Sequence, residues 1–141
     1  MVTQGYARTY QTQSVLTASP GRLVLMLYDG ALKFLALAQE GFRQPESDPR
    51  RFELINNNLQ KAQNILSELQ STLNHGAGGD LATTLDRLYD YYSRRLFEAN
   101  LKKQPEPIAE VERFLRELRE AWAEMLCKEE GARFQQSRVV A

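Results

Sequence analysis

The stretch Leu23-Val24-Leu25-Met26-Leu27-Tyr28-Asp29-Gly30-Ala31-Leu32-Lys33-Phe34-Leu35-Ala36-Leu37-Ala38 decides how this chain folds. Wound as a helix, it carries two apolar stripes. One runs through Leu23, Met26, Leu27, Gly30, Ala31, Phe34, Leu37 and Ala38; the other through Leu25, Tyr28, Leu32 and Leu35. Only a thin polar seam, Arg22, Asp29, Lys33 and Glu40, separates them. A surface helix has one apolar face and a wide polar one. This helix is therefore expected to be covered on nearly every side, by neighbouring helices, by the N-terminal arm or by another chain.

Outward from it, the chain punctuates itself. Ser19 suits an N-cap and Pro20 the first helical position, where a missing N–H costs nothing. The first helix is expected to stop near Gly41 or Phe42, before the Gln44-Pro45-Glu46-Ser47-Asp48-Pro49 loop. Asp48-Pro49 repeats the cap-plus-proline signal. The second helix has the seam Phe52, Ile55, Leu59, Ala62, Leu66, Leu69, Leu73, with spacings of three and four residues, as shallow helix-on-helix packing requires. Asn74 and the glycines Gly76, Gly78 and Gly79 are expected to end it, with Asp80 capping the next.

The third helix places Leu81, Leu85, Leu88, Tyr92 and Ala99 on one side, widened by Tyr89, Leu96 and Phe97, and ends near Lys102-Lys103, whose charges suit a helix C-terminus. After Gln104-Pro105-Glu106-Pro107, the fourth carries Ile108, Val111, Leu115, Leu118, Trp122 and Met125. Four such patterns with short connections predict an all-α fold, an antiparallel four-helix bundle with an N-terminal arm docked on it. The expected divisions are an arm at 1–18, a bundle at 19–128 and a loosely ordered tail at 129–141.

Composition removes whole classes of function. The 141 residues suffice for one domain, and 18 basic against 18 acidic residues argue against a nucleic-acid footprint. One cysteine, Cys127, and one histidine, His75, leave no disulfide and no Cys/His zinc cluster. No apolar run reaches the length of a membrane span. The polar N-terminus lacks a signal-peptide core, so a cytoplasmic protein is expected. The residue three before His75 is Thr72, which excludes the Glu-x-x-His pairs of a di-iron bundle. The glycine loop lacks the Gly-Lys-Ser/Thr ending of a phosphate cradle. No catalytic residue, metal or cofactor is expected. What remains is surplus apolar and tyrosine surface, of the kind that lines a groove for a partner segment.

At this point the residues resemble a known family. Tyr10, Val15, Thr17-Ala18-Ser19-Pro20-Gly21-Arg22-Leu23 and Met26-Leu27-Tyr28-Asp29-Gly30-Ala31 are similar to the start of the flagellin export chaperones, the FliS family. The likeness continues through Lys61-Ala62-Gln63-Asn64-Ile65-Leu66-Ser67-Glu68-Leu69, Ser71-Thr72-Leu73-Asn74, Leu88-Tyr89-Asp90-Tyr91-Tyr92, Arg95-Leu96 and Glu98-Ala99-Asn100. The glycine-rich loop and the basic tail depart from it.

The resemblance implies a cytosolic helical bundle that holds the C-terminal segment of flagellin, disordered in the monomer and helical in the filament. It thereby prevents early polymerisation and presents flagellin to the type III export apparatus. Some members also bind an anti-sigma factor or the export gate protein itself. The matching blocks nominate Tyr10 and Val15 as arm anchors. They nominate Tyr28, Leu54, Ile65, Leu69, Tyr89 and Leu96 as groove-lining positions at or beyond the seam edges, and Asn64 and Asn100 as bonds to client backbone. The rival reading is a bundle whose surplus face meets a second copy, a homodimer.

Overall fold

The structure, a computed structural model, describes residues 20–140, and residues 20–136 with their side chains. Four helices follow in order: α1 Pro20–Arg43, α2 Arg51–Ser71, α3 His75–Lys102 and α4 Glu106–Val140. Each packs against its neighbours in sequence, and α4 closes the ring on α1. Cross-helix contacts show that neighbours run antiparallel. Along α2 and α3, Asn56 pairs with Asn100, Gln63 with Ser93 and Gln70 with Asp86. Along α1 and α4, Gly21 pairs with Trp122 and Gln39 with Glu112.

The core is one cluster through all four helices. Leu35, Ile55, Leu59, Leu66, Leu96, Ile108, Val111 and Leu115 are fully buried in it, with Ala31, Ala38, Ala62 and Ala99 between them. The inward stripe of α1 is Leu25, Tyr28, Ala31, Leu35, Ala38 and Gly41, which mixes the two stripes read from the sequence. Leu23, Met26, Leu27 and Phe34 lie half-buried beside it, and Leu37 is 38 % exposed. Among the described residues, α1 is thus sealed on its inner side and open along part of its outer one.

Small residues let α1 and α2 approach closely. A Cβ on Gly41 would stand 2.8 Å from Ile55 Cγ1 and 3.3 Å from the Ile55 backbone nitrogen. One on Gly30 would stand 3.2 Å from Ile65 Cδ1.

Several boundaries differ from the sequence reading. Asp48 does not cap α2; its Oδ1 accepts from the Arg50 backbone N–H at 2.9 Å, which closes the turn ahead of the helix. Asn74, not Asp80, opens α3, its Oδ1 accepting from the Ala77 N–H at 3.1 Å. One helical turn follows before Gly79, at φ 52° and ψ −128°, kinks the chain. That φ is left-handed, which glycine adopts without a Cβ clash. The inward seam of α3 is Ala82, Leu85, Tyr89, Tyr92, Leu96 and Ala99; Leu81 and Phe97 face outward at 67 % and 58 % exposure. On α4, Leu126 rather than Met125 turns inward. α4 also continues without a break through the tail region to Val140. A lone glycine such as Gly131 costs an extended helix only about 1 kcal/mol, too little to end it. Ser19 and the arm lie outside the described residues.

Candidate functional site

The structure separates the nominated residues into two groups. Tyr28, Leu69, Tyr89 and Leu96 are 3 %, 1 %, 1 % and 0 % exposed. These four belong to the core, which corrects their reading as seam-edge positions. Tyr28 and Tyr89 meet across the bundle, Oη to Oη at 2.6 Å, tying α1 to α3 through the interior. Burial and this shared bond push the Tyr89 hydroxyl far above its ordinary value, and burial pushes Tyr28 up as well. Both rings are structural bolts. Tyr10 and Val15 lie outside the described residues.

Leu54, Asn64, Ile65 and Asn100 keep access to solvent. They fall on two surfaces flanking α2. The first runs along α1 and α2: Ile65 beside Gly30, the Lys61 ammonium 5.4 Å above the Phe34 ring, Leu54 beside Gly41, and Leu37 on the same side of α1 by helical spacing. Asn58, buried within this seam, satisfies itself by donating to the Leu54 carbonyl at 2.7 Å.

The second surface is a cleft where α2 begins and α3 ends, lined by Asn56, Phe97, Asn100, Leu101 and Lys103. Phe97 and Leu101, one helical turn apart, are 58 % and 71 % exposed, and Phe52 nearby is 53 % exposed. Asn100 donates to Asn56 Oδ1 at 2.6 Å and accepts from the Lys103 ammonium. The Lys103 ammonium lies 5.6 Å from the Phe52 ring centre, and the Arg51 guanidinium lies 5.7 Å from the rings of both Phe42 and Phe52. Of this cleft the sequence reading named only Asn100 as a site residue. Phe52 and Phe97 looked like core because they stand on or beside apolar seams. Phe97 sits one residue past Leu96 and Leu101 two past Ala99, off the inward stripe, an offset that a strict three-and-four register on α3 reveals.

The remaining faces are braced. Arg119 donates to Asp29 at 2.8 Å, and Arg22 forks onto Glu130 at 3.0 and 2.9 Å, across α1 and α4. Gln39 donates to Glu112 at 2.7 Å; burial nevertheless pushes that carboxyl above its ordinary value. Trp122 donates its indole N–H to the Gly21 carbonyl at 2.8 Å. Tyr91 and Arg95 both donate to Glu110 across α3 and α4. Among the described residues no group of acids, histidines or cysteines is placed to hold a metal ion, and no helix is long and apolar enough to cross a membrane.

Beside α2 the ring of helices leaves one partly exposed surface and one cleft of mixed apolar and polar lining, and comparison with known proteins gives the chain a lineage. The family model "Flagellar protein FliS" matches residues 2–130. The chain belongs to the FliS family. Its relatives include the flagellar secretion chaperone FliS of Bacillus subtilis (strain 168), 40 % identical over 129 residues, 92 % of each chain. That of Salmonella typhimurium (strain LT2) is 38 % identical over 136 residues, 96 % of this chain and 95 % of the relative. That of Vibrio cholerae is 31 % identical over 119 residues, 84 % of each. These FliS relatives are chaperones, not enzymes.

Proposed function

We propose that this FliS-family chain is a cytosolic chaperone for flagellar export. It holds the C-terminal segment of flagellin on the apolar surfaces flanking α2, blocks premature polymerisation and delivers the client to the type III export apparatus. The observation that carries this reading is the cleft of Phe97, Leu101 and Asn100, with Phe52 open beside it. Exposed aromatic and aliphatic groups beside amide donors and acceptors suit a segment that brings apolar side chains together with unsatisfied backbone.

Magnitudes favour a long contact. Fully burying a large apolar side chain returns about 1.5–3 kcal/mol, and Phe52, Phe97 and Leu101 have roughly half of that still to gain. Ordering each client residue costs about 1–2 kcal/mol of backbone entropy. One cleft cannot hold a disordered tail alone, so the client must engage the α1–α2 surface as well, with Leu54, Asn64 and Ile65 among its contacts. An arm that covers part of this surface in the free protein, anchored by Tyr10 and Val15, lowers the net affinity and permits release. The export gate protein and an anti-sigma factor are secondary partners on the same reading.

Co-expression with a flagellin C-terminal segment, followed by pull-down and calorimetry, tests the proposal. Phe97→Ser with Leu101→Ser, both solvent-facing, are expected to leave the fold intact and to weaken binding. An unchanged affinity in that variant refutes the placement. Absence of any complex with the parent protein refutes the function. Deletion of Met1 to Leu16 is expected to tighten binding or to promote self-association.

A further inference from the structure

The α2–α3 cleft carries a charge pattern that apolar docking does not use. The Arg51 guanidinium and the Lys103 ammonium lie 5.7 and 5.6 Å from the Phe52 ring centre. Neither takes part in any of the six ion pairs formed by the described residues. The Arg51 Nε is buried without a hydrogen-bond partner. The Lys103 ammonium is held below its ordinary value, first by partial burial and then by the charge of Arg51, and no carboxylate acts against that shift.

The backbone adds a second observation. Lys103 sits at φ 51° and ψ 55°, the left-handed conformation at the end of α3. Glycine is the usual residue there, because a Cβ is disfavoured. Here the strained position bears a long cationic side chain folded back over Phe52 and Asn100. Strain of this kind persists where the surroundings use it.

We infer that the cleft is a receptor for an acidic side chain carried next to an apolar one. An Asp or Glu of a partner helix is seated against Lys103 and Arg51, while its neighbouring Leu or Phe covers Phe97 and Leu101. The occupant is a polypeptide segment with alternating acidic and apolar turns. Charge complementarity singles it out, since a purely apolar segment would leave two close cations unneutralised and drier than before. The inference deepens the client-binding reading and rests on it only for the identity of the peptide.

The test uses the full chain and two short helical peptides of Ala and Leu, one carrying Glu and the other Gln at the same positions. Binding is followed by calorimetry and by nitrogen-15 NMR, which resolves the Asn56 and Asn100 side-chain amides. The Glu peptide is expected to move those two amides and to bind about fivefold or more tightly than the Gln peptide, the gain of a charge-assisted bond at a half-buried site. K103Q is expected to remove that preference and R51Q to reduce it. R113Q, on the remote face of α4, leaves it intact. The Lys103 ammonium is expected to titrate higher with the Glu peptide bound and no higher with the Gln peptide. Equal binding of the two peptides, binding that maps elsewhere, or no binding of either overturns the inference. A flagellin C-terminal peptide is run in parallel. Its failure to bind while the Glu peptide still discriminates removes the functional reading and leaves the receptor. Its binding with no loss on changing its own acids to amides does the reverse.

Discussion

Removing one hydroxyl of the Tyr28–Tyr89 pair is expected to cost more than removing both. The two Oη atoms lie 2.6 Å apart, on residues 3 % and 1 % exposed, and each has the other as its hydrogen-bond partner among the described residues. Tyr28→Phe deletes one bonding partner and strands the Tyr89 hydroxyl in a dry interior. A buried polar group left unsatisfied costs about 1–3 kcal/mol. Tyr89→Phe does the same to Tyr28. The double change keeps both rings, including the edge contact of residue 89 with Phe114 at 6.4 Å, and leaves no polar atom to strand. Its cost is expected to be no larger than that of either single change. Urea unfolding followed by circular dichroism measures all four corners of the cycle, and unchanged m-values confirm that the same surface unfolds. The pair also predicts an alkaline signature. Both hydroxyls titrate higher in the folded state than the ordinary value of 10.0. The folded protein therefore holds protons that the unfolded chain releases. The stabilisation is complete below pH 10 and falls as pH rises above it. The double Phe variant should lose less stability than the parent over that range. Single-change costs that simply add in the double variant would refute the picture of two mutually satisfied groups.

Other substitutions read other parts of the argument. Gly41→Ala must push a methyl to 2.8 Å from Ile55 Cγ1 and 3.3 Å from its backbone nitrogen, so a loss of about 1–3 kcal/mol is expected in the same unfolding assay. Gly131→Ala meets nothing within 4 Å and should stabilise α4 by up to about 1 kcal/mol with a gain in helical signal; no gain would place the tail outside the helix. Leu96→Asp puts a carboxylate at a position 0 % exposed and should abolish folding, whereas Ile65→Asp should fold and lose client affinity in pull-down. Lys103→Gly relieves a left-handed non-glycine residue, worth about 1 kcal/mol, and should raise the unfolding midpoint while weakening the acidic peptide.

How much of this was legible in the sequence depends on the range of the interaction that decides each feature. The four helices and their order follow from local signals: Pro20, the loop of Pro45 and Pro49, Asn74 with the glycines after it, and Pro105 with Pro107. The seams of α2 from Ile55 to Leu69 and of α4 from Ile108 to Leu115 were readable because large residues at alternating three and four spacing dominate those segments, whereas Phe52 and Met125 at their ends lie exposed. The seam of α3 was misread because its first member is Ala82, which buries too little surface to stand out beside Leu81. The inward stripe of α1 was split between two stripes because large residues flank it on both sides, while the positions where α2 comes close, Gly30 and Gly41, have no side chain to mark them. A pattern count rewards bulk, whereas packing against a near helix selects for its absence.

The site lay beyond that reading for a further reason. Apolar residues that serve a partner look the same, in one chain, as those that serve the core, and Phe52 and Leu69 share a stripe while one is 53 % and the other 1 % exposed. Only the tertiary arrangement shows that Phe52, at the start of α2, is left largely uncovered. The cations are the better clue. Lys103 read from sequence as a favourable charge at a helix end, and that role requires nothing of its neighbours. Folded back over Phe52 beside an unpaired Arg51, it gives the cleft a preference in charge as well as in shape, and that is what separates a receptor for a particular segment from a patch that is merely greasy.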